Sequence, residues 1–253
     1  MQPGVQTTSS RDGRIAGALY LASLPVGLVR SVYVQGTLLA GSFAADHAAT
    51  TAQRIVENET TFRLAMLADI ATGLLLGFVV LTLYRPLSQV SSRAYVVLGG
   101  LLVVVLYFTN ALTDFAALLF ARGEGGLSAI SPVERDSFVW FFLRIHFQTK
   151  ETGRILWGLL WLIPLGVMAY RSRMLPRVLG VLLVIDGLAC IANSAAWFLL
   201  PAAAANRVFF VIWLVFLPEV ILALWLLIRG VRLPGELRSE RGDTALVPSA
   251  PGS

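Results

Sequence analysis

The chain has 253 residues, 57% of them hydrophobic and only 14% charged, with a mean hydropathy of +0.74. A water-soluble domain carries about 25% charged and roughly 45–50% apolar residues. A fold solvated by water alone is therefore excluded, and lipid is the expected solvent for much of the surface. The formal charge of +5 does not point to nucleic acid, because the basic residues sit in short runs between apolar segments, where membrane topology signals lie.

Six stretches are suited to crossing a hydrocarbon core, which takes roughly 20 residues of helix. The first is expected over 15–33, with Arg30 near its far end, where a long side chain snorkels to the interface. The second covers 61–84 and stops at Arg85 and Pro86, and the third covers 95–120. The fourth, 153–170, is clearest from Ile155 onward. The fifth, 178–200, is stopped by Pro201, and the sixth, 208–228, ends at Arg229 and Gly230. Arg11 and Arg14 ahead of the first stretch resemble a signal-peptide leader. The apolar run ends well before Ser42, Phe43 and Ala44, however, and five more runs follow, so an uncleaved first helix is expected.

Short basic connections, 85–93 and 171–177, fall on the same side as Arg11 and Arg14 and as Arg229, Arg232, Arg238 and Arg241. That bias predicts both termini in the cytoplasm, in keeping with an even number of spans. Two segments on the opposite side are more than loops. Asp46 precedes an Ala-rich stretch, 47–56, as an N-cap would, and predicts a short surface helix. Over 131–149, Pro132 sits near a helix start and Phe138, Phe141, Phe142 and Ile145 form an apolar stripe. This is either an interfacial helix or an extension of the fourth span. The expected fold class is all-α: a polytopic transmembrane bundle of six helices in one domain, 1–233, with short outer-surface helices between spans 1 and 2 and between spans 3 and 4. Residues 234–253, polar with Gly and Pro, are expected to form a disordered cytoplasmic tail.

Ionisable groups inside spans cost about 2.5–3.5 kcal/mol on insertion scales, so each needs an account. The candidates for a polar pocket are Asp69, Asp114, Asp186 and Glu219, with Asn110 and Asn193 beside them. Helical spacing puts Asp69, Gly73 and Gly77 on one face, the two glycines in a GxxxG spacing that permits close helix approach. Tyr107, Asn110 and Asp114 share a face of the third span, and Asp186, Cys190, Asn193 and Trp197 a face of the fifth. With the termini inside, Asp69 lies about 10–12 Å below the outer surface at ~1.5 Å per residue. Glu219, just after Pro218, lies near the midplane. Arg63, Arg144, His146, Glu151 and Arg154 fall at the outer edge as a pocket rim. A hydrated pocket open to the outside, with Glu219 at its floor, is the expected arrangement.

The chain has no GxSxG, HExxH, P-loop or CxxC sequence, and catalytic residues are not identifiable. With His47 and His146 the only histidines, no metal site and no cofactor are expected. His47 reads as a solvated residue of the surface helix. Cys190 is the single cysteine, so no intrachain disulfide forms, and it reads as a small apolar core residue. Trp157, Trp161, Trp197, Trp213 and Trp225 read as packing or lipid-facing groups. The bilayer is the expected partner, with a small molecule or lipid as the ligand and no nucleic acid; oligomeric state is not readable. The favoured function is binding or transport of a small ligand or proton. The alternatives are an intramembrane enzyme acting on a lipid or isoprenoid, with Arg63 or Arg154 gripping an anionic head group, and a purely structural accessory protein.

Four passages carry a family resemblance. They are 14–21 (RIAGALYL), Phe62, Arg63 and Leu64 leading to Asp69, 170–183 (YRSRMLPRVLGVLL), and Glu219 followed by 222–230 (LALWLLIRG). Together they resemble the bacterial multi-pass membrane family known as domain of unknown function 4386, over roughly residues 11–232. The resemblance implies a six-helix protein of the bacterial cytoplasmic membrane and no particular activity. It is weakest over 122–154, although His146 falls where a histidine of that family is expected.

Overall fold

An apolar helix in lipid turns its few polar groups toward neighbouring helices and its leucines outward. The computed structural model describes residues 3–28, 48–87, 93–172, 175–200 and 217–231, and the regular structure among them is helical. Helix α1 is Pro3–Leu28, α2 Ala48–Glu57, α3 Glu59–Leu87 and α4 Arg93–Arg122. A 3-10 turn, Gly125–Ala129, leads to α5, Pro132–Leu156; α6 is Ile163–Ser172, α7 Arg177–Leu199 and α8 Leu217–Arg229. Among the described residues, Glu59–Tyr84, Val97–Arg122, Pro132–Ser172 and Arg177–Leu199 are long and apolar enough to cross a membrane. On α3, Leu67, Leu74, Phe78 and Leu81 are exposed while Asp69, Thr72, Leu76 and Val80 are buried. Leucine outside and carboxylate inside is the pattern of a helix solvated by lipid, and the chain is an integral membrane protein.

The structure departs from the expected elements between spans 3 and 4. In place of a separate outer helix followed by a fourth span at 153, Pro132–Ser172 is one helical run of 41 residues. Its start is set by a capping box: the Ser131 hydroxyl accepts from the Glu134 N–H, and the Glu134 carboxylate accepts from the Ser131 N–H at 3.1 Å. Pro132 occupies the first turn, where its missing N–H costs nothing. No breaker stands between 149 and 153, since a lone Gly153 is tolerated within a helix.

Farther on, Pro164 has no N–H to donate, and its ring crowds the carbonyl four residues back. The chain widens there into a π segment, Trp157–Leu162, closed by the Ile163 N–H donating to the Gly158 carbonyl five residues back.

Close approaches join the helices. A Cβ added to Gly17 of α1 would lie 2.7 Å from the Ala223 carbonyl of α8. One added to Gly180 of α7 would lie 2.8 Å from the Gly166 carbonyl of α6. Among the described residues two apolar cores result. The larger includes Tyr20, Leu83, Trp161, Leu162, Leu183 and Leu226. The smaller gathers Ala52 and Ile55 of α2, Phe62 and Ala65 of α3, Ala117 and Leu118 of α4, and Val139 and Leu143 of α5. The predicted surface helix is thus present as α2, with one face seated on α4 and α5. Arg30, Asp46, His47, Trp213, the first part of the expected sixth span and the expected tail lie outside the described residues.

Candidate functional site

Asp69 of α3, Asp114 of α4 and His146 of α5 come together from three helices. Each offers one metal-ligand-type atom, and these atoms lie within 4.8 Å of one another. The residues are 6%, 0% and 1% exposed. His146 Nδ1 stands 3.0 Å from Asp114 Oδ1. The level of the group is fixed by an ion pair, Arg122 Nη1 donating to Glu59 Oε1 at 2.7 Å, which ties the end of α4 to the start of α3. Asp69 lies ten residues and Asp114 eight residues inward from that pair, or about 12–15 Å at ~1.5 Å per residue.

One helical turn toward the same end stand Ala65, Leu118 and Leu143, members of the smaller core on which α2 is seated. These apolar side chains lie between the three residues and that end of the helices. His146 and Glu151, expected at a rim, are buried because 132–156 is helix packed on the bundle. Asn110 lies one turn from Asp114 on the same face of α4. It is 5% exposed, and its Oδ1 accepts no hydrogen bond among the described residues.

A second centre ties α5 to α7. Arg154 Nη1 donates to Glu151 Oε1 and Oε2 at 2.7 and 2.6 Å, and the buried Ser194 hydroxyl donates to Glu151 Oε2 at 3.0 Å. Asn193 is buried beside it on α7.

A third centre surrounds Glu219 in the first turn of α8. Its carboxylate accepts a hydrogen bond from the Tyr20 hydroxyl of α1. It also accepts one at 3.1 Å from Trp157 Nε1, which the π segment carries. The Trp157 and Trp161 rings stack at 5.2 Å. Asp186, fully buried on α7, lies within electrostatic range of Glu219, and Cys190 lies 4.0 Å from its Oδ1.

The structure therefore brings Asp69 and Asp114 together with His146, and groups Glu219 with Asp186. Tyr107 of α4 is within electrostatic range of Asp69, Glu219 and Arg154, so the three centres adjoin. Two rim arginines are engaged elsewhere. Arg63 pairs with Glu59 at 2.6 Å at the exposed end of α3, and Arg144 lies over the Trp140 ring. Arg144 also lines an open cleft of about 310 Å³ with Leu106, Phe141, Ile145, Gln148, Thr149 and Thr152.

Tyr20, Trp157 and Ser194 are the partners that sequence reasoning missed. A signal for two of them was present, since a Tyr hydroxyl or Trp N–H inside an apolar run needs an acceptor.

The model of the family described as domain of unknown function (DUF4386) matches residues 15–230. No curated protein matches the chain, and no solved structure does. The chain belongs to the DUF4386 family, whose description assigns no activity.

Proposed function

We propose that this DUF4386 protein spans the bacterial cytoplasmic membrane six times, with both termini in the cytoplasm, and binds and passes a proton or a comparably small solute at Glu219. The transmembrane domain covers 1–233 and a cytoplasmic tail follows, with the bilayer as its surroundings. Support for six spans comes from adding α1 and the 208–228 stretch to the four long helices. Support for the orientation comes from the arginines of the short connections.

One observation carries the functional reading. A carboxylate within an apolar bundle is expensive and usually has a task, and Glu219 is held by two neutral donors, Tyr20 and Trp157, with a second acid, Asp186, in range. Neutral donors orient such a group without locking it into an ion pair, which leaves it free to exchange a proton or a small ligand. The π segment that supplies Trp157 is a device common at functional positions. We favour this over a lipid-acting enzyme because Arg63 and Arg154, the residues suited to a head group, are committed to Glu59 and Glu151.

The test is proton flux into proteoliposomes loaded with a pH-sensitive dye. The wild-type chain is expected to exceed empty vesicles. Glu219→Gln, eluting as the folded protein does, is expected to lose at least about tenfold of that flux. Flux unchanged in Glu219→Gln, or none in the wild type, refutes the reading.

A further inference from the structure

We infer that Asp69, Asp114 and His146 form a site for one divalent transition-metal ion of the zinc, manganese or iron class, with the Asn110 amide oxygen as the fourth donor. The inference goes beyond proton or solute passage at Glu219 and does not depend on it.

Geometry is the first ground. At metal–ligand distances of about 2.0–2.2 Å, neighbouring donors of a tetrahedral or octahedral shell sit roughly 3.0–3.5 Å apart and opposite ones about 4.2 Å. The observed 3.0 Å between His146 Nδ1 and Asp114 Oδ1 matches neighbouring donors, and the limit of 4.8 Å over all three lies a few tenths of an ångström above the widest spacing, which a small side-chain shift on binding closes.

Donor chemistry narrows the ion. Carboxylates alone suit magnesium or calcium, whereas an imidazole nitrogen favours zinc, iron or a neighbouring transition metal. Two carboxylates also balance a divalent charge, which matters where net charge is costly.

The third ground is preorganisation. The donors stand on three separate helices, each fixed by an apolar residue one turn away: Ala65, Leu118 and Leu143. Finally, a buried amide oxygen without a donor is costly and calls for a partner. Asn110 Oδ1 is such an atom, on the face of α4 that carries Asp114. An ion held there, or a water bound to that ion, provides the partner. The sequence conceals this arrangement because the ligands are 45 and 32 residues apart along the chain, without a local motif.

The test uses the full chain, purified with a histidine-free tag and no chelator, with metals measured by mass spectrometry. About one equivalent of zinc, manganese or iron per chain is expected. Asp114→Asn and His146→Gln are expected to lose it by more than about tenfold, while Glu219→Gln retains it. Should the ligand variants fail to fold, the chelator-treated wild type decides. Added Co2+ is expected to give visible ligand-field bands and to raise Tm; competing Zn2+ is expected to abolish the bands while Tm stays raised. A wild type with no bound metal, and with neither bands nor a Tm shift on adding Co2+, overturns the site. That result leaves the three residues as an ion-paired lock, with Lys150, one turn past His146, the basic group in register to serve it.

Discussion

Replacing Ser194 by Ala isolates one contact between α5 and α7. The Ser194 hydroxyl is fully buried and donates to Glu151 Oε2 at 3.0 Å, while Arg154 holds both oxygens of the same carboxylate. A hydrogen bond to a charged acceptor is worth about 1.5–3 kcal/mol in water-soluble proteins. Polar contacts between membrane helices average about 0.6 and reach about 1.7 kcal/mol, so the expected loss is about 1–1.7 kcal/mol. Glu151→Leu is a harsher change, because it leaves a largely buried guanidinium without its carboxylate and is expected to cost about 3–5 kcal/mol. In that background Ser194→Ala removes nothing further, and the coupling in the double-mutant cycle equals the single Ser194 effect. Reversible unfolding in mixed detergent–SDS micelles, followed by tryptophan fluorescence, measures all four proteins. An equal cost of Ser194→Ala in both backgrounds, or no cost in either, refutes the assignment.

Two further substitutions probe packing and burial. A Cβ at Gly73 would come 2.9 Å from Tyr107 Cβ, whereas one at Gly77 would lie 3.6 Å from the nearest Val104 methyl. Gly73→Ala is therefore expected to destabilise by about 1–3 kcal/mol and Gly77→Ala to stay within about ±0.5 kcal/mol; the same unfolding assay checks both, and equal effects would contradict the packing. Cys190 is 1% exposed, so N-ethylmaleimide is expected to leave it unmodified in the folded protein and to label it fully in SDS. Comparable labelling in both states, read by intact mass, would place the thiol elsewhere.

The helices were largely legible because apolar length and arginine punctuation are local properties of the chain. The common face of Asn110 and Asp114 was legible for the same reason, since a period of 3.6 residues fixes it. Adjacency between helices was not. Nothing in the spacing of Asp69, Asp114 and His146 says that α3, α4 and α5 meet at those turns. His146 sat in a stretch of mixed polarity that reads equally as interface or interior, so its burial depended on whether 131–149 continued into the fourth span. The absence of a breaker before Gly153 pointed to continuation, and the charged run Lys150, Glu151 and Arg154 obscured it. The π segment has no periodic signature. Pro164 was its one visible cause, and Trp157, which donates to Glu219, stands at the start of that segment.

The length of the run from Pro132 to Ser172 has a practical consequence. Forty-one helical residues measure about 60 Å, whereas the bilayer with its head groups is roughly 40–45 Å thick. At the tilt of about 20° usual for spanning helices, such a rod outreaches that thickness by roughly 10–15 Å, and its capped N-terminal turns, with Val133 exposed among them, are the end suited to stand clear of the lipid. A 27.4 kDa protein otherwise hidden in a micelle thereby carries its own handle. An antibody fragment raised against those turns, or a partner helix fused in register at Pro132, would give electron microscopy a fiducial that moves as one piece with the helix bearing His146 and Trp157.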